Sequence, residues 1–152
     1  MDLPIKFKKT CGDCSECCKG HLHGEVYGHK FTKGVPCHYH DNGCSIYENR
    51  PESPCKTYQC FWLKDEKFKV PMWLRPDKSG VIATVERLGK SETYTIILTD
   101  TQKGMSVQAL AWFVQLALQN RFNLTFRIGD SINYIGASDI DENLLVKKFF
   151  PN

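Results

Sequence analysis

The chain has 152 residues, a hydrophobic content of 41% and a formal net charge of +3, values typical of a folded globular protein rather than a disordered one. No apolar run approaches the roughly 18 residues of a membrane span, and the opening residues MDLPIKFKK lack the apolar stretch of a signal peptide. We therefore expect a cytoplasmic protein with no membrane partner.

A cysteine-rich segment comes first in the chain, and no cysteine follows residue 60. Disulfides are rare in a reducing cytosol, and the adjacent pair Cys17 and Cys18 would strain a framework of separate bridges. Ligation of metal by thiolates is therefore favoured. The predicted metal ligands are Cys11, Cys14, Cys17, Cys18, Cys37, Cys44, Cys55 and Cys60.

The spacing C-x-x-C lets the chain turn so that both sulfur atoms reach one ion at about 2.3 Å. Eight thiols can complete two four-coordinate zinc sites, or one iron–sulfur cluster with thiols to spare, so we expect one or two centres. Zinc is preferred, because Pro36 and Pro54 precede cysteines here, whereas iron–sulfur loops often carry a proline after the last ligand. The spacing leaves open which cysteines share a site.

All five histidines also lie in this segment. His38 and His40 stand between Cys37 and Cys44, and they are candidates for metal ligands or for hydrogen bonds to ligands. Arg50 either donates hydrogen bonds to thiolate sulfur or nearby carbonyl groups and offsets negative charge, or forms a surface ion pair. Because metal-bound cysteines are thiolates, the positive net charge describes only the metal-free chain, and nucleic acid is not indicated as a partner.

The connector after the cysteines is rich in aromatic residues, which we expect to anchor the segment on a core: Phe61, Trp62, Phe68 and Trp73. From residue 80 onward the patterns predict an α+β core. Strands at 81–88 and 93–99 form a hairpin across a turn at 89–92. Ser106 caps a helix that runs to about Asn120, with Val107, Leu110, Ala111, Val114 and Leu118 on its apolar stripe.

Alternation at Phe122, Leu124, Phe126 and Ile128 predicts a further strand, and 131–135 predicts another. Ser138 or Asp139 caps a last helix. The predicted fold class is therefore α+β, with a hairpin–helix–strand–strand–helix core at 64–152. A metal-organised, cysteine-rich module at 1–63 packs on this core to give one compact unit.

The motifs CGDCSECC, GCSIYENRP and CKTYQCFWL resemble the CxxCxxCC family of zinc- or iron-chelating proteins, which includes members similar to flagellin lysine N-methylase. The resemblance covers residues 11 to about 63 and implies that all eight cysteines have family counterparts. The extra proline in RPESPC departs from the family pattern and lengthens the approach to Cys55.

Three functions follow as alternatives. In the first, metal mainly organises the fold and presents a surface to a macromolecular partner that the sequence does not identify. In the second, which the resemblance implies, an iron–sulfur or open metal site catalyses group transfer to protein side chains. In the third, exchangeable sites sequester or deliver metal. Neither a G-x-G-x-x-G loop nor an H-E-x-x-H motif is present, so whether the protein is an enzyme stays open.

Overall fold

The computed structural model describes residues 14–87, 93–128, 130–136 and 142–150. Within these ranges the protein is a mixed α+β structure with two sheets, which confirms the predicted fold class. The predicted ligand Cys11, the predicted turn at 89–92 and the predicted helix cap at Ser138 or Asp139 lie outside the described residues.

Short elements make up the part of the chain that carries the cysteines. Strands β1 (Gly24–Val26) and β2 (His29–Phe31) form an antiparallel hairpin. Gly24 lies opposite Phe31, and a Cβ at Gly24 would come within 2.6 Å of the Phe31 ring, so this position requires glycine. The other elements are single helical turns: Glu16–Cys18, Tyr47–Asn49, Glu52–Lys56, α1 (Phe61–Lys64), Met72–Leu74 and α2 (Pro76–Ser79).

A four-stranded sheet forms the centre of the second half, with its strands in sequence order: β3 (Val81–Glu86), β4 (Thr95–Asp100), β5 (Asn123–Ile128) and β6 (Ser131–Ile135). The two outer pairs are antiparallel, whereas β4 and β5 are parallel and are joined by a crossover through α3 (Val107–Asn120). Helix α4 (Glu142–Phe149) follows the sheet. Among the described helices, none is long and apolar enough to cross a membrane.

Helix α3 begins where the sequence predicts, since the side chain of Ser106 accepts a hydrogen bond from the Ala109 N–H at 3.1 Å. The predicted apolar stripe is correct only in part, since Leu110 and Val114 pack against the core but Ala111 is exposed. Val107 and Leu118 are 79% and 63% exposed, and the helix buries another set of residues: Ala109, Phe113, Leu116 and Ala117. Apolar residues surround this helix on every side, so periodicity alone does not select the face that meets the sheet.

Both faces of the sheet are covered. On one face, α3 and α1 pack over Ile96, Leu98 and Leu124. On the other, residues of α4 and the position after it pack over Ile97. Strand β5 is therefore buried on both sides, and even its polar Thr125 is fully buried. The predicted alternation in this strand is present, but it does not separate a solvent face from a core face.

The connector anchors the cysteine segment at the first of these faces. Trp62 is buried as predicted, and its Nε1 donates to the carbonyl oxygen of Pro71 at 3.1 Å. Asp65, at the end of α1, holds the next turn by accepting three backbone N–H groups. Trp73 does not act as a core anchor, because its side chain is 43% exposed.

Candidate metal centre

The cysteines are carried by irregular backbone that a few main-chain hydrogen bonds hold together. Cys17 and Cys18 end the Glu16–Cys18 turn, and the Cys37 N–H donates to the carbonyl oxygen of Cys18 at 2.9 Å. Cys44 pairs with His40 in an isolated antiparallel bridge. These bonds bring the first cysteine motif beside the second, although about twenty residues separate them in the chain.

Cysteines from three separate stretches of the sequence line one large cleft. It has a volume of about 1470 Å³, and six cysteines line it: Cys14, Cys17, Cys18, Cys37, Cys44 and Cys55. Cys60 sits at the start of α1 and packs partly against the main core. Six of the predicted ligands therefore line the same cleft.

The thiols of Cys17 and Cys18 lie close together, with 4.0 Å between their Sγ atoms. Contact with Cys17 lowers the pKa of Cys18 to about 7, against the opposing effect of burial, and the charge of Arg50 contributes in the same direction. The two sulfur atoms are therefore in contact, and the pair joins the surroundings of one thiol to those of the other.

A first thiol neighbourhood contains Cys18, Cys37, Cys44 and Cys55. Burial raises the pKa of Cys37, and repulsion by the thiolates of Cys18 and Cys44 adds to this effect. Burial likewise raises the pKa of Cys55, with added repulsion from the other three thiolates, while Arg50 opposes the rise. Four thiols that repel one another as anions gain stability when a cation neutralises them.

The thiol of Cys14 lies in a different environment. Burial raises its pKa, whereas the backbone N–H groups of Glu16 and Asp77 act to lower it. The Arg75 guanidinium and the Asp77 carboxylate, which pair with each other near the start of α2, also act on this thiol. The groups that act on Cys14 therefore differ from those that act on Cys18.

Tyr58 lies near the thiols of both Cys17 and Cys60. Burial is the largest cause of the raised pKa of its hydroxyl, and the thiolates of Cys60 and Cys17 add to it. The same hydroxyl lies 3.0 Å from Thr84 Oγ1 on β3, so it joins the cleft to the edge of the sheet. Cys17 and Cys60 thus lie near one buried tyrosine, and Cys17 also touches Cys18.

The predicted non-cysteine candidates occupy distinct positions. Arg50 lies near the first thiol neighbourhood, where its charge acts on Cys18 and Cys55, and its guanidinium covers the Tyr47 ring at 3.8 Å. His38 stacks on His29 with 3.8 Å between ring centroids. The Nε2 atom of His40 is 3.3 Å from Ser15 Oγ, inside the first cysteine motif.

Glu16 is a site residue that the sequence reasoning missed. Its carboxylate is largely buried and meets Lys19 Nζ at 2.9 Å and His21 Nε2 at 3.1 Å. This three-residue contact fixes the backbone that presents Cys17 and Cys18. The available signal was an acidic residue inside the cysteine motif with a lysine three positions later.

The described cysteines form no disulfide with one another. No group of three or more histidine, cysteine, aspartate or glutamate side chains in the described ranges is arranged to hold a metal ion. Thiol donors in this number match the ligands that zinc and iron–sulfur centres prefer, so the residues fit such a centre by their chemistry.

Comparison of the chain with protein-family models, curated proteins and solved structures finds no match.

Proposed function

We propose that this is a cysteine-ligated metal-binding protein whose metal, zinc in preference to an iron–sulfur cluster, mainly organises the fold of the cysteine segment. The observation that carries this proposal is the convergence of six cysteines, from three stretches of sequence, on a single cleft. Thiols brought together without disulfides are the donor set that soft and borderline metal ions select.

The apolar content of the segment supports an organising role for the metal. Among described residues 14–60, the buried hydrophobic side chains are Val26 and Phe31. Two side chains contribute only about 3–6 kcal/mol of burial energy, which does not offset the backbone entropy of ordering nearly fifty residues. Metal ligation stabilises small domains that have little apolar core of their own, so it is a source of stabilisation that this segment can use.

In this proposal the protein groups have separate roles. The thiolates of Cys18, Cys37, Cys44 and Cys55 would hold one centre, and those of Cys14, Cys17 and Cys60 would contribute to a neighbouring one together with Cys11. Arg50 offsets negative charge beside Cys18 and Cys55. Glu16 fixes the backbone that presents Cys17 and Cys18. A bound zinc ion supplies coordination bonds that close the loops, without redox chemistry.

The test is elemental analysis, together with an absorbance spectrum, of protein purified without oxygen. We expect zinc, no visible absorbance band, and a metal content that falls by about half in either Cys14→Ser or Cys44→Ser, because each variant damages one of two centres. Both substitutions also lower the melting temperature. The control is Ser45→Ala, next to Cys44, which removes only an exposed hydrogen bond to the Tyr39 carbonyl oxygen.

Several results would decide against the proposal. Metal-free protein that is nevertheless folded would exclude an organising metal. Unchanged metal content and melting temperature in Cys44→Ser would remove that residue from the ligand set. A brown protein whose visible band bleaches in air would replace zinc by an iron–sulfur cluster, and would favour the redox or group-transfer alternative.

A further inference from the structure

A second cavity lies on the other side of the cysteine segment. It has a volume of about 290 Å³ and is bounded by the stretch around His21, by the turn at Lys33, and by residues at the carboxyl ends of β4 and β5. Because β4 and β5 are neighbouring parallel strands, their carboxyl ends meet at the same edge of the sheet. In open α/β sheets, this edge is where ligands commonly bind.

Arg127 lines this cavity near the carboxyl end of β5. It follows Phe126 in β5, and its guanidinium lies 5.9 Å from the centroid of the Phe150 ring. The Nε atom of Arg127 is buried and has no hydrogen-bond partner among the described residues. A buried donor without an acceptor is unfavourable, so the Arg127 Nε atom favours the binding of a group that accepts its hydrogen bond.

The charge around the cavity is predominantly positive. Lys33 stands at a turn closed by the hydrogen bond from the Val35 N–H to the Thr32 carbonyl oxygen at 2.8 Å, so its backbone is held in place. The side chain of Lys33 is exposed and forms no ion pair within the part of the chain that is described. Lys19 also lines the cavity but is paired with Glu16.

Other titratable groups at the cavity do not reverse this charge. Asp100 is the acidic residue that lines it, and it is exposed at the end of β4. Burial lowers the pKa of His23, so its ring is neutral at neutral pH. His21 is held by the Glu16 carboxylate. Arg127 and Lys33 therefore remain as two cationic groups without a described partner of opposite charge.

We propose that this cavity binds the oxyanion group of a small molecule, a phosphate or a carboxylate, between Arg127 and Lys33. The planar guanidinium suits either group, since it can donate two parallel hydrogen bonds to an oxyanion. Lys33, which also lines the cavity, adds a second positive charge. The cavity is close to the lower end of the size range for small-molecule sites, which favours a compact ligand over a nucleotide.

The experiment is isothermal titration of the full-length, metal-loaded protein with inorganic phosphate and, separately, with succinate, both at constant ionic strength. We expect saturable binding of at least one of the two anions, and the tighter one identifies the chemical class. Arg127→Met weakens that binding at least tenfold, and Lys33→Met weakens it several-fold. Arg121→Met, an exposed arginine that does not line the cavity, binds as the wild type does.

Arg127→Met also has a diagnostic effect on stability. Because methionine fills similar space and removes the buried donor, we expect the melting temperature without anion to stay the same or rise, while the stabilisation by added anion disappears. Saturation with neither anion overturns the proposal, as does wild-type affinity in Arg127→Met. If Arg127→Met does not fold, wild-type affinity in the exposed variant Lys33→Met overturns it. Metal content is measured in each sample, so failure of this site is distinguishable from failure of the metal centre.

Discussion

The junction between α2 and β3 gives a sharp test of the fold that supports the cleft. Gly80 has a φ of 79°, and a Cβ at this position would lie 1.8 Å from the carbonyl oxygen of Gly104. That overlap involves backbone on both sides, and the same junction is held by the Thr101 N–H, which donates to the Gly80 carbonyl oxygen at 2.8 Å. Neither segment can move without breaking this contact.

Gly80→Ala therefore has two costs. The left-handed conformation costs about 1–2 kcal/mol for a residue with a Cβ. Relief of the overlap costs about 1–3 kcal/mol more, as for an overpacked core. We expect the free energy of unfolding to fall by about 2–5 kcal/mol, a large share of the roughly 5–15 kcal/mol typical of a domain.

The matched control is Gly28→Ala in the β1–β2 turn. Gly28 has a φ of 83°, but a Cβ there would meet nothing within 4 Å. This variant has the conformational cost alone, about 1–2 kcal/mol, and the entropy that alanine removes from the unfolded chain is common to both variants. Urea unfolding measured side by side isolates the overlap. Equal destabilisation of the two variants would refute the close approach of Gly80 to Gly104.

Two further predictions concern individual side chains. In reduced, metal-free protein the cysteine segment should lose its order, so alkylation of Cys18, Cys37 and Cys55 by iodoacetamide should follow one common pH midpoint. Distinct midpoints, near pH 7 for Cys18 and above the ordinary thiol range for Cys37 and Cys55, would show that the arrangement persists without metal and would contradict the organising role. Asp65→Ala removes the acceptor of three backbone N–H groups and should lower the free energy of unfolding in urea by about 2–4 kcal/mol, whereas the exposed neighbour Glu66→Ala should change it little.

Local signals made most of the second half predictable. Ser106 is a strong helix cap that acts through its own neighbours, and the strands that form β3 to β6 have turn residues between them. The buried face of α3 was not predictable from the pattern. It depends on how the helix lies over Ile96 and Leu124, which is a property of tertiary packing.

The cysteine content predicts metal ligation, but it does not predict how the cysteines are arranged in space. Eight thiols indicate metal, yet spacing does not decide which of them meet, because the loops between them have no periodicity. The hairpin at β1 and β2 was missed, although Val26 and Phe31 are both buried. Its signal was a glycine turn between short alternating stretches, which is easily overlooked in a segment dominated by cysteine and histidine. Glu16 was missed for a similar reason, since its importance comes from contact with His21 rather than from a motif.

Buried apolar side chains are concentrated in the four-stranded sheet, whereas the described part of the cysteine segment contains few of them. In β4, the side chains of Ile96, Ile97 and Leu98 are fully buried. The thiols, in contrast, lie on loops that Trp62 and Tyr58 attach to the sheet. Regions with few buried apolar contacts open at low free energy, and densely packed strands open only with the whole domain. The cysteine loops can therefore open and rearrange at a lower free energy than the packed strands, which stay folded meanwhile.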